Sequence, residues 1–309
     1  MTKELNFDRL YMATLPRSGS TLVAQHIGEH SDIFHVGESM YWEMLTPQSE
    51  TCSCGKKPCD FLQQIFEEMR DEHLALPLLK VWQILDKRYW PNRKTYVDSV
   101  VQEGDEVPDI TTLEFWLSQS PGALDAITSV YSKYSNKHIF LDNTKLHHIA
   151  ERLLYDRNNW GAIALTRDPR GMMSSFKNAG IRKGDLRNAD SILPLCLDFA
   201  KFLLKEQRNN KMEIVRYEDF CTNPIQTLTN ICNFIGVPFE RNMLNSITSS
   251  TEARGHVLKG NHILKSNNVT HIQEDKSWQQ NLTDAELNSF YSNEELLNLY
   301  IDLGYNFDI

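Results

Sequence analysis

The residues best suited to chemistry open near the start of the chain. Leu15-Pro16-Arg17-Ser18-Gly19-Ser20-Thr21 follows the short apolar run Arg9 to Leu15 and leads into Thr21 to Ile27, whose apolar spacing is helical. A strand that runs into a glycine- and hydroxyl-rich turn and then a helix presents backbone N–H groups and the positive helix end to an anion. Ser18, Ser20 and Thr21 add hydroxyl donors, and Arg17 adds a cation. The blander reading of the same segment is a tight turn with an N-cap. A nucleotide triphosphatase needs G-x-x-x-x-G-K-[ST], and here no glycine stands five positions before Gly19 and no lysine follows it. That departure counts against a small-molecule kinase or a nucleotide hydrolase.

A second anion-binding pattern lies at Arg167-Asp168-Pro169-Arg170-Gly171-Met172-Met173-Ser174-Ser175-Phe176, after a strand-like run ending at Thr166. Arginine offers a planar donor fork, and Ser175 stands about two helical turns further on. Taken alone, this segment also reads as a helix start with proline at the first position and local charge pairing. Together the two segments resemble the two halves of the nucleotide site in sulfotransferases that use 3′-phosphoadenosine-5′-phosphosulfate (PAPS). The resemblance implies that Arg17, with Ser18, Gly19, Ser20 and Thr21, holds the 5′-phosphosulfate, and that Arg167 and Ser175 grip the 3′-phosphate. Arg216-Tyr217-Glu218-Asp219-Phe220 resembles the family's Tyr-Glu-Asp segment, which implies Tyr217 beside the adenine and structural roles for the acids. His256-Val257-Leu258-Lys259-Gly260-Asn261, with Lys265 and Trp278, is similar to a C-terminal H-x-x-x-G-N…W segment that folds over the nucleotide. It implies further cofactor contacts from Lys259, Gly260, Asn261 and Lys265, although His262-Ile263-Leu264 replaces the usual Pro and Arg.

Sulfonate transfer is an in-line displacement at sulfur, so it needs an anion clamp, a cation at the bridge oxygen and a base for the acceptor proton. Arg17 suits the clamp. Glu38, in His35-Val36-Gly37-Glu38-Ser39, resembles the Gly-Glu segment that supplies the base; the competing reading is a supporting glutamate that holds Arg17. Leu141-Asp142-Asn143-Thr144-Lys145 resembles an Asp-Ser-Ser-Lys segment, which puts Lys145 near the transferring group. In a second family register Asn143 would take the lysine position. His147 and His148 are reserve bases, with exposed helical histidines as the plainer reading. The chemistry needs no metal ion, and no residue is assigned to one for that purpose.

Cys52-Ser53-Cys54-Gly55-Lys56-Lys57-Pro58-Cys59 resembles a C-x-C-G…C insert of one bacterial sulfotransferase group, with a shorter gap before Cys59. Three readings stand: zinc with a fourth ligand from Asp60, His73 or another cysteine; a local disulfide; or reduced packing thiols. Cys196, Cys221 and Cys232 lie in apolar helical surroundings and read as buried reduced thiols.

These residues need elements to position them. Short apolar strands at Arg9 to Leu15, Ile139 to Asp142, Gly161 to Thr166 and Met212 to Tyr217 alternate with helical stretches, which predicts an α/β fold whose parallel sheet is covered by helices on both faces. The resemblance makes this the P-loop-type sulfotransferase fold. One domain over residues 1–309 is expected, with a helical insertion over about 62–137, broken at Pro77, Pro91, Pro108 and Pro121, that borders the acceptor site. A single closing helix is expected from Asp284 to Leu303. The net charge of −9 argues against nucleic acid or an anionic membrane as partner. No apolar run has the length of a signal peptide or a membrane span, so a cytoplasmic location is expected. The expected acceptor is a small molecule, a specialised metabolite bearing a hydroxyl or amine, with PAP released. A non-catalytic PAP-binding module is the non-enzymatic alternative, and the oligomeric state is not legible.

Overall fold

The computed structural model describes residues 6–49, 51, 52, 54–70, 72–90, 110–182, 188–245, 256, 257 and 272–307. Lys259, Gly260, Asn261 and Lys265, with Pro91 and Pro108, lie outside the described residues. Five parallel strands, β1 (Arg9–Thr14), β2 (Ile33–Gly37), β3 (Ile139–Lys145), β4 (Trp160–Thr166) and β5 (Met212–Arg216), form one sheet in the order β2-β3-β1-β4-β5. Residues alternate between its two faces with the strand period of two. Leu10 and Met12 of β1 join Ile163 and Leu165 in one core, while Tyr11 and Ala13 join Ala162 and Ala164 in the other. Both faces are therefore buried, which is why these strands read as continuous apolar runs.

Helices α1 (Ser20–Gly28), α8 (Tyr217–Thr222) and α9 (Pro224–Ile235) cover the first face. The second face carries the expected insertion as α2 (Asp60–Arg70), α3 (Leu76–Tyr89) and α4 (Ile110–Tyr134), together with α5 (His147–Asp156), α6 (Pro169–Arg182) and α7 (Leu193–Glu206). The insertion shares this core. On α4, Tyr131 packs on Phe34 of edge strand β2, and its hydroxyl donates to the Val36 carbonyl at 3.5 Å. Pro77 and Pro121 do not break it: Pro77 stands in the first turn of α3, where a missing N–H costs nothing, and Pro121 lies inside α4.

The expected closing helix is two helices. After α10 (Trp278–Asn281), α11 (Asp284–Tyr291) ends at Ser292, and α12 (Glu294–Asp302) begins at Asn293, whose side chain accepts from the Leu296 N–H at 3.1 Å. An asparagine that caps a new N-terminus overrides a continuous apolar period. No described helix is long and apolar enough to cross a membrane.

Candidate active site

All five strand ends that carry chemistry point the same way, because every pairing in the sheet is parallel. The chain leaves β1 toward β2 on one side and leaves β4 toward β5 on the other, so a crevice opens between the ends of β1 and β4. Such a reversal of strand order is where open α/β sheets bind ligands.

Gly19 occupies the N-cap position of α1 in the left-handed region at φ 89°, and no side chain caps the helix. The first-turn N–H groups are left for an anion. The loop is held from below: the Thr14 hydroxyl donates to the Leu165 carbonyl at 2.7 Å, so the Ser18 hydroxyl donates to Thr14 at 2.5 Å. Ser18 is thus committed to the loop's own support. Thr21 and Arg17 are half-buried at its rim, whereas Ser20 is buried. The Tyr217 ring closes over the loop so tightly that a Cβ on Gly19 would lie 2.5 Å from its Cδ2 and Cε2 atoms.

Arg167, only 5% exposed, spans the crevice. Its Nη1 donates to the Arg17 carbonyl at 3.0 Å, its guanidinium lies 4.6 Å from the Tyr217 ring centroid, and its Nη2 reaches Asp275. Gly171 gives it room, since a Cβ there would meet Arg167 Nε at 2.9 Å. Asp275 is a partner that no motif spacing indicated. Ser175 stands half-buried on α6 beside Ser174, whose hydroxyl instead accepts from Asn281 at 3.3 Å. Behind Tyr217, Glu218 accepts the Asp168 N–H at 2.9 Å and the Tyr305 hydroxyl at 3.2 Å. Arg170 pairs with Asp168 and stacks under Trp278 at 4.1 Å, which gives Trp278 a packing role.

On the other side of β1, Glu38 Oε1 and Lys145 Nζ form a largely buried ion pair. Bulges bring them together. Between β2 and β3, the register from His35↔Leu141 to Gly37↔Asp142 adds one residue to β2; between β1 and β3, the register from Tyr11↔Asp142 to Ala13↔Lys145 adds one to β3. A bulge re-aims the side chains at a strand end. Gly37 at φ 85° and Lys145 at φ 78° mark the two irregularities. Arg17 also has a positive φ, 76°, so two of the site's three cations sit in a conformation that costs a side-chain-bearing residue about 1–3 kcal/mol. It is Lys145, not Asn143, that meets Glu38 here, and Asn143 is buried.

Asp142 lies beneath this pair with no exposed surface. Its carboxylate accepts from the Ser39 hydroxyl and from the Thr144 N–H, the latter at 2.7 Å. Burial raises it to about 6, more than these two donors lower it, with Glu38 pushing the same way. His35, on the strand before Glu38, is fully buried; burial and then the charge of Lys145 lower it to about 3. Asp142 was visible only as the first residue of the Asp-x-x-Lys segment, with no role of its own, and His35 was not singled out, because it belongs to an apolar strand. His147 is not an exposed helical histidine: it is buried against Phe199 and Phe202, and burial holds it well below the usual imidazole range. His148 stacks on it at 4.0 Å and is lowered too. Two aromatic neighbours and a second imidazole make that position part of the core, so it offers no access for a base.

Cys196 and Cys232 are buried thiols as expected, but Cys221 is partly exposed at the end of α8. Cys52, Cys54 and Cys59 converge with His256, and neither Asp60 nor His73 joins them. Asp60 pairs with Lys56, and His73 pairs with Glu43 at 3.0 Å.

The arrangement presents a capless helix start and a buried arginine on one side of β1, and a carboxylate facing an ammonium on the other. It can hold an anion and take a proton beside it. Residues 10–241 match the profile of the sulfotransferase family. Carbohydrate sulfotransferase 1 of Homo sapiens is 23% identical over 300 residues, covering 82% of this chain and 69% of the relative. The protein of that name from Danio rerio is 24% identical over 297 residues, covering 80% and 66%. Among solved structures, the sulfotransferase domain from the curacin biosynthetic pathway superposes with a TM-score of 0.52 at 16% identity, covering 98% of this chain and 99% of that one.

Proposed function

The chain belongs to the sulfotransferase family, and we propose that it moves the sulfonate of PAPS onto a hydroxyl or amine of a small-molecule acceptor, with Glu38 as the base. The observation that carries this reading is the Glu38–Lys145 pair, set at the same sheet edge as the loop at Arg17 and the buried Arg167. Residues 1–309 are read as one sulfotransferase domain.

The residues fit the donor. The uncapped start of α1 and Arg17 suit the 5′-phosphosulfate, Arg167 with Ser175 suits the 3′-phosphate, and Tyr217 gives the adenine a ring to stack on. PAPS supplies an activated sulfur and a phosphate leaving group. Glu38 takes the proton from the acceptor O–H or N–H, and the acceptor's lone pair forms the new bond to sulfur as the bridging S–O bond breaks. That bond's electrons pass to the 5′-phosphate oxygen of PAP. Arg17 and Lys145 oppose the charge that grows there, in a pocket where water screens little. Glu38 then returns its proton to solvent. The turn Ser39–Glu43 directly after the base packs against α3, where Tyr41 meets Trp82 at 6.5 Å, so the insertion helices shape the acceptor side.

A carbohydrate hydroxyl is the second reading, favoured by the names of the curated relatives. Acceptor-dependent release of PAP from PAPS, measured against small alcohols, phenols, amines and mono- and oligosaccharides, tests both. Release with no compound above the acceptor-free rate would contradict the proposal.

A further inference from the structure

A group of soft ligands lies just outside the transfer site. The turn after Cys52 is tight: Gly55 takes φ 86°, the Gly55 N–H donates to the Cys52 carbonyl at 2.8 Å, and the Cys52 N–H donates to the Lys56 carbonyl at 3.0 Å. This brings Cys54 back beside Cys59, whose carbonyl accepts the Gln63 N–H at 2.9 Å at the start of α2. Their sulfurs are 3.7 Å apart. From far along the chain, His256 stacks its ring on Phe61 at 4.4 Å and turns Nδ1 toward Cys59 Sγ at 3.2 Å and Cys52 Sγ at 3.7 Å. All four ligand atoms lie within 4.8 Å of one another.

We infer that Cys52, Cys54, Cys59 and His256 bind one Zn2+ as a closed, tetrahedral, structural site. A tetrahedron with Zn–S of about 2.3 Å and Zn–N of about 2.0–2.1 Å has S···S edges of about 3.8 Å and S···N edges of about 3.5 Å. The observed 3.7, 3.2 and 3.7 Å edges lie close to that figure. A disulfide would instead need its sulfurs at about 2.05 Å. Thiols packed as inert apolar groups have no use for an imidazole nitrogen in their midst, whereas three thiolates and an imidazole are a complete zinc ligand set. With four protein ligands no position remains open, so the metal does not act on substrate. The thiols bind as thiolates and give up their protons to solvent.

The site's value lies in what it ties together. Val257, next to His256, packs so closely on Gly37 that a Cβ there would lie 2.8 Å from its Cγ1. Gly37 closes the bulge in β2 and stands immediately before Glu38. The metal thereby pins residues 256–257 to the C-X-C turn and presses Val257 against the segment that aims Glu38. This last consequence rests on the reading of Glu38 as base; the metal site itself does not.

The test uses the full chain, purified without chelator. Elemental analysis should give about one zinc equivalent, falling below about a fifth in Cys59→Ser and His256→Ala and staying near one in His256→Cys. Should the first two variants fail to fold, zinc-depleted wild type titrated with Co2+ should show thiolate-to-cobalt charge-transfer bands and strong tetrahedral d–d bands, saturating at about one equivalent and displaced by Zn2+. Hydrogen exchange at 37–39 should speed up on zinc removal even without substrate. Less than about a tenth of an equivalent together with no tetrahedral cobalt spectrum, undiminished zinc in Cys59→Ser, or a stoichiometric Cys54–Cys59 disulfide would each overturn the site.

Discussion

Glu38 and Lys145 face each other as an ion pair because each extends from a strand end that carries one extra residue, between His35 and Gly37 on one side and between Asp142 and Lys145 on the other. A regular parallel register would send both side chains elsewhere. The pair places a proton acceptor and a cation side by side at the end of the sheet, and the consequences are measurable.

Replacing Glu38 with Gln keeps the shape and removes the proposed base. Turnover should fall by about 10²–10⁴-fold, while PAP affinity stays within about twofold of wild type. Because base and cation act as one unit, Lys145→Met added to Glu38→Gln should cost less than the product of the two single effects. Steady-state rates with a saturating acceptor, paired with PAP titrations, check this. Full activity in Glu38→Gln removes Glu38 as base.

Gly19 and Tyr217 are in contact across the nucleotide loop. An alanine at 19 faces two penalties, a left-handed backbone at φ 89° and a Cβ 2.5 Å from a ring that is only 6% exposed. Gly19→Ala should lower stability by about 1–3 kcal/mol, a shift of several degrees in Tm. In a Tyr217→Ala background the steric part disappears and only the backbone part remains, so the same substitution should cost less there. Equal costs in both backgrounds, read from thermal unfolding, would show that the ring does not close the loop.

How much of this was visible in the sequence depends on the range of the contact. The loop at Arg17, the Arg167 segment and the Gly-Glu and Asp-x-x-Lys segments are local patterns, so the apolar strands around them and their resemblance to a family were enough to find them. The position of Lys145 relative to Asn143 is set by a bulge, and bulges leave no periodic trace. The plainer reading of His147 as an exposed helical histidine failed because α5 turns it toward Phe199 and Phe202 of α7, a contact made far along the chain. His256 could not be matched to Cys52 for the same reason: the two are 204 residues apart. The break at Asn293 was missed because the apolar period runs on across it, and only the structure shows its side chain capping α12.

Acid should weaken the fold below about pH 6.5. His35 is lowered to about 3, and burial also lowers His26, His147 and His148, so each is neutral when folded and takes up a proton on unfolding as the pH falls through the unfolded imidazole range. Asp142 works the other way. Raised to about 6 from 3.8, it favours the folded state below 3.8 and loses that contribution as the pH rises through 6. The histidines outweigh it, so net stability should be lower at pH 5 than at pH 7. Urea unfolding should show a smaller gap between the two pH values in His35→Gln and a larger one in Asp142→Asn. A gap unchanged in both would disconnect these groups from the acid response.

The proposed function requires the crevice between β1 and β4 to recognise a 3′-phosphorylated nucleotide carrying an activated sulfonate. Arg167 is the decisive residue, because it is buried at the crevice and already tied to the Arg17 carbonyl at 3.0 Å. Calorimetric titration of the wild-type chain and of Arg167→Ala with PAP, and with ATP in the presence of Mg2+, measures this recognition. PAP should bind wild type at least about tenfold more tightly than ATP does, and Arg167→Ala should lose about 10–100-fold in PAP affinity with little change toward ATP. ATP bound as tightly as PAP, or PAP binding indifferent to Arg167→Ala, would contradict it.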